Sequence, residues 1–218
     1  MPTICSGFKS SIKFFSFPAK LTRLIHLRYI TLSCDDLDVL PKDMSNLWNL
    51  QTLIVDTKSR NLTINANIWK MIQLRHLKTE ASIILTGNGE GKAKAGENLQ
   101  ILGRLSPECC TDEVFNKARH LKELRVRGQL ATLFEITSLD KLDRLENLKL
   151  LNDIYPESAS RNPLRGILKS NWFPPNLKKL TLSVSWEASG DECTSLVHLM
   201  LLHCEELDEI PKELVERL

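Results

Sequence analysis

The chain of 218 residues has no stretch of about 18 consecutive apolar residues, the least that crosses a bilayer as a helix. Its first residues, MPTICSGFKSSIKFFSFPAKL, cluster Phe14, Phe15 and Phe17. Lys13 and Ser16 nevertheless break the run of roughly 7 to 15 apolar residues that a signal peptide needs. With neither segment, the expectation is a cytoplasmic protein, and the sequon Asn61, Leu62, Thr63 reads as coincidence. Charge of one sign is also missing: 29 basic against 27 acidic residues leave a net +2, too balanced for nucleic acid or lipid as the main partner. The six cysteines form no CxxC pair and no tight framework, which excludes a zinc ribbon or a disulfide scaffold and predicts reduced thiols.

One glycine-rich stretch, TGNGEGKAKAG at residues 86 to 96, has the look of a phosphate loop but lacks its parts. In the GxxxxGK[ST] pattern Gly91 and Lys92 would need a hydroxyl next and a glycine five residues earlier, where Ala93 and Thr86 stand. GxGxxG fails too, since Lys92 or Lys94 falls where its last glycine belongs. Adjacent Cys109 and Cys110 lie among acids, which raise a thiol pKa instead of producing a reactive thiolate. His76 and His198 recur at one repeat position, His26 and His120 at another, so their placement follows a period and not a catalytic or metal-binding constellation. The sequence predicts no enzyme, no cofactor, no metal and no small-molecule substrate.

Leucine, by contrast, is abundant, with 38 positions. A core built mainly from one aliphatic residue suggests repetition. The pattern LxxLx followed by an apolar residue starts at Leu27, Leu50, Leu74, Leu99, Leu121, Leu145, Leu177 and Leu196, spaced by 23, 24, 25, 22, 24, 32 and 19 residues. Two copies carry a polar residue, Thr79 or Arg104, where the last apolar one is expected. The second leucine and the residue two beyond it alternate inward along a short strand, and burying each such side chain is worth roughly 1.5 to 3 kcal/mol. Amphipathic helices are the alternative, but Ile30, Val55, Val126 and Thr181 suit strands, and helical spacing is not sustained.

This consensus and period resemble a leucine-rich repeat. The resemblance implies an α/β solenoid, with a curved parallel sheet on the concave face and loops or short helices on the convex face. Residues 1–20 are expected as a partly disordered lead-in and 21–211 as a repeat domain of about eight repeats. A mobile loop is expected at 86–97, an irregular segment at 152–176 and a helical end at 212–218. Cys204 falls where the family places a small Asn or Cys that bonds loop backbone.

LIHLRYITLSCDDLDVLP at 24 to 41, NLWNLQTLIV, IWKMIQLRHL and LSPECCTDEVF followed by HLKELRVRGQL narrow the likeness. They resemble the repeats of plant intracellular nucleotide-binding immune receptors, in particular the late blight resistance protein group of nightshades. That implies a defence role, in which the array binds a pathogen effector or host protein and regulates a nucleotide-switch domain not present in this chain. A general repeat scaffold, or a substrate-receptor fragment of a ubiquitin ligase, is the other reading. The residues expected to face a protein partner are the outward strand positions: Tyr29, Thr52, His76, Lys78, Arg125, Arg127, Lys149 and Lys179. Among all outward positions five cations outnumber the acids Asp56, Glu80 and Glu123, which favours an acidic protein surface.

Overall fold

A strand needs alternate side chains buried and a neighbour for its backbone, and each LxxLxL copy supplies the first while the next copy supplies the second. The computed structural model describes residues 17–87, 96–130, 132–133, 139–152, 173–183 and 198–201, with only the backbone of 198, 199 and 201. The chain divides into two compact units, Met1–Leu99 and Gln100–Leu218.

In the first unit the strands are β1 (Tyr29–Ser33), β2 (Val39–Leu40), β3 (Thr52–Asp56), β4 (Asn61–Ile64), β5 (His76–Thr79) and β6 (Ser82–Leu85). β1, β3 and β5 form one parallel ladder, in which Ile30, Leu53 and Leu77 align. These leucine positions and Leu32 and Val55 are buried, while the residues between them face out. Thr79 is tolerated in the buried row because its hydroxyl accepts a hydrogen bond from the Ala81 amide at 3.1 Å. Short 3-10 turns, Ala19–Arg23, Lys42–Asn46 and Ile68–Lys70, precede β1, β3 and β5. Beside these helical turns runs a second parallel ladder, β2, β4 and β6, with Leu40 paired to Ile64 and Leu62 to Ile83. Its buried residues, Leu40, Leu62, Ile64, Ile83 and Leu85, extend the core to the far side of each coil of chain.

The second unit holds β7 (Ile101–Leu105), helix α1 (Asp112–Lys117), β8 (Glu123–Arg127), β9 (Asn147–Leu151), β10 (Lys179–Ser183) and β11 (His198–Leu201). β7 to β11 pair in parallel in chain order. α1 begins where Thr111 accepts from the Val114 amide at 3.4 Å, and Asp112 and Glu113 sit in its first turn, where the helix dipole favours negative charge.

One sequence expectation is corrected here. Arg104 does not occupy the last inward position of its repeat, because the register shifts: Leu102 pairs with Leu124, but Leu105 pairs with Val126. β7 thus carries one extra residue, a bulge, and Arg104 takes a left-handed φ of 47° to absorb it. Leu105 fills the inward site and is fully buried. The repeat from Leu99 therefore keeps its apolar triplet by an insertion that spacing alone conceals.

Most of the lead-in, the centre of the 86–97 loop, nearly all of the 152–176 segment, the 212–218 end and Cys204 lie outside the described residues.

Candidate protein-interaction surface

Parallel pairing in register places equivalent outward residues of successive coils side by side, so each strand position becomes a row. In the first unit Tyr29, Thr52 and His76 stand in one row, and Thr31, Ile54 and Lys78 in the next. Thr52 Oγ1 lies 3.0 Å from His76 Nδ1, a hydrogen bond that ties the two side chains together. Burial lowers the His76 pKa, and Lys78 and Arg75 lower it further, so the imidazole resists protonation. Tyr29 is exposed, and Thr52, His76 and Lys78 are half-buried. Further along the same face, Ser33 Oγ donates to Asp56 Oδ2 at 3.2 Å.

In the second unit Arg125 stands beside Lys149, Arg127 beside Leu151, and Lys179 beside Asn147. This face holds four of the expected cations and one carboxylate, Glu123. All five of these side chains are half-buried, which raises the strength of their charges relative to fully exposed ones. Glu123 Oε1 accepts from Arg125 Nε and Nη2, both at 2.7 Å. Arg125 is therefore largely neutralised within its own strand, a pairing the outward row alone does not reveal. Thr181, another outward position, is buried, and its hydroxyl has no hydrogen-bond partner among the described residues.

Buried or partnered groups elsewhere are structural. The side chains of Cys34 and Cys110 are buried, and that of Cys109 is half-buried. The Cys110 thiol is pushed well up by burial and then by neighbouring Cys109, so the acids nearby are not the cause. No group of three His, Cys, Asp or Glu able to hold a metal occurs among the described residues. Among those residues no helix is long and apolar enough to cross a membrane. At the edge of the glycine-rich stretch, a Cβ on Gly87 would collide with the Ala66 carbonyl, so this glycine serves a close approach of backbones.

Three asparagines with a structural role lie outside the outward strand rows. Asn49, Asn98 and Asn176 each precede the first leucine of a repeat. Their side-chain amides donate to the carbonyls of Ile25, Ile72 and Asp143 in the preceding coil, at 2.8, 2.8 and 2.7 Å. The signal was present as the dipeptide Asn-Leu in NLQ, NLQ and NLK.

Comparison with known proteins now fits this geometry. A model described as a leucine-rich repeat region matches residues 18–218. The putative late blight resistance protein homolog R1B-16 of Solanum demissum is 40% identical over 249 residues, covering 87% of this chain and 19% of its own. Another putative late blight resistance protein homolog of the same plant is 26% identical over 246 residues, with the same shares of each chain covered. Disease resistance protein RPP8 of Arabidopsis thaliana is 30% identical over 207 residues, covering 92% of this chain and 22% of its own. The chain thus spans about a fifth of the length of the curated relatives it matches. Repeat regions of resistance proteins are recognition modules and are not typically catalytic. The chain belongs to the leucine-rich repeat family, as the repeat region of a plant disease resistance protein of the nucleotide-binding leucine-rich repeat type.

Proposed function

We propose that the chain is the recognition module of a cytoplasmic defence protein. Its outward strand rows bind a pathogen effector or a host protein and restrain a nucleotide-switch domain not present in these 218 residues. The observation that supports this reading most is the group of half-buried cations Arg125, Arg127, Lys149 and Lys179 on the outward face of β8, β9 and β10, set on in-register strands where a partner can meet several at once. A group of side chains preorganised on strands costs little ordering entropy on binding, and its charge speeds encounter with an acidic surface.

Co-precipitation and titration with a nucleotide-switch domain from a resistance protein of this type test the proposal. Lys78→Glu in the first unit, and Arg125→Glu with Arg127→Glu in the second, are expected to weaken binding at least about tenfold and flatten its salt dependence. Binding that is absent from the start, or indifferent to all three substitutions, would sink the interface named here.

A further inference from the structure

Three consecutive coils of the first unit are built alike on the side that leads into the strands. Each 3-10 turn ends at a cap, Leu24, Leu47 or Met71, whose amide donates back to the carbonyl of Leu21, Met44 or Ile68. The amides of Leu27, Leu50 and Leu74 then donate to the cap carbonyls and close a second tight turn. Between cap and leucine stand Ile25, Trp48 and Ile72, held outward by this pair of turns and 38%, 55% and 54% exposed. Bonds from the Asn49 side chain to Ile25 O, and from the Arg75 amide to Gln51 O, stitch the coils together. The three side chains therefore form one apolar stripe, and Leu24, also exposed, widens its first end.

Charge flanks the stripe with one sign. Two residues before Ile25 and Ile72 come Arg23 and Lys70, and three residues after them come Arg28 and Arg75. All four are exposed, and none has an ion pair or side-chain hydrogen bond among the described residues. In the middle coil the same flanking positions hold the neutral Asn46 and Gln51, and Glu97 of the next coil ends the stripe. The repeat does not demand apolar residues here: the equivalent positions of the second unit are Arg119, Asp143 and Pro175.

We propose that this stripe seats one amphipathic α-helix of a partner protein, whose apolar edge is flanked by aspartate or glutamate. Neighbouring coils are about 4.8 Å apart and successive helix turns about 5.4 Å, so residues at i, i+4 and i+7 of one helix meet Ile25, Trp48 and Ile72 in turn. The cations on both sides fit carboxylates beside that edge. A lipid surface fits less well, because the stripe is one residue wide and about half of each side chain already lies against the protein, leaving little to enter the acyl region. The stripe shares no residue with the outward strand rows, so it stands or falls independently of the function proposed for them.

The full chain is titrated with two labelled helical peptides bearing leucine at i, i+4 and i+7, one flanked by Glu and one by Lys. Binding of the Glu peptide alone is expected, weakened about 30-fold by Trp48→Ser with Ile72→Ser, exposed sites whose change leaves the fold intact. Arg28→Glu with Arg75→Glu is expected to transfer the preference to the Lys peptide, a reversal that unfolding cannot produce. Failure to bind the Glu peptide, or binding unmoved by Trp48→Ser, overturns the proposal. So does wild-type sedimentation with phosphatidylserine vesicles that Trp48→Ser abolishes, which assigns the stripe to a membrane, or a dimer lost in Trp48→Ser, which assigns it to a second copy.

Discussion

Glu123 and Arg125 are two residues apart on β8 and share its outward face, and one carboxylate oxygen takes both a guanidinium Nε and an Nη2 at 2.7 Å. Their side chains are 18% and 25% exposed, which keeps solvent screening moderate. The pair therefore sets how much positive charge the second unit presents. Glu123→Gln is expected to leave the fold intact, cost about 1 kcal/mol at most, and strengthen binding of any acidic partner of this face. A double-mutant cycle with Arg125→Gln, read by urea denaturation, checks the coupling.

The bulge in β7 makes opposite forecasts for adjacent residues. Leu105 is fully buried and paired with Val126, so Leu105→Ala is expected to cost about 2 to 5 kcal/mol. Arg104→Leu is expected to bring no gain, because its backbone is in the left-handed region and the inward site is already filled. Comparable losses at the two positions, measured by thermal unfolding, would contradict the register described.

The asparagine stitches are testable against an internal control. Asn49→Ala and Asn98→Ala each remove a side-chain bond to the previous coil and are expected to cost about 0.5 to 1.5 kcal/mol. Gln73 holds the same repeat position without such a bond, and Gln73→Ala is expected to stay within about 0.5 kcal/mol. Equal losses at all three sites in urea denaturation would mean the bonds contribute nothing specific.

His76 gives the chain a pH dependence of definite sign. Its pKa is lowered in the fold below the ordinary 6.5, so between the two values the unfolded chain binds more protons than the folded one. Its contribution to stability is full above about pH 6.5 and is lost as pH falls toward the folded pKa. An NMR titration is expected to give a midpoint below that of an exposed histidine, and Lys78→Gln should raise it, since Lys78 opposes the imidazolium. A midpoint at or above the ordinary value would refute this environment.

Much of this fold was legible because a repeat must satisfy one condition many times. Leu53, Leu77, Leu124 and Leu148 are buried where period and alternation put them, and Thr79 fits only because a nearby amide serves its hydroxyl. The ladder of β2, β4 and β6 was not legible: Val39–Leu40 is too short to signal a strand, and it becomes one only by lying against Thr63 and Ile64. Tyr29, Thr52 and His76 could be named as outward from their own repeats, yet the bond between Thr52 and His76 depends on the register of β3 against β5.

By itself, then, the sequence determined the coil, its period and which side chains point inward, since those follow from apolar residues recurring along one chain. The tertiary structure alone decided what sits across from what. It also chose the rotamers that join Glu123 to Arg125 within one strand, inserted Arg104 as a bulge, buried Thr181 and lined up Ile25, Trp48 and Ile72. Burial patterns are local and repeat with the leucines, whereas partners across coils depend on inter-strand register and on rotamers that no one-dimensional spacing specifies.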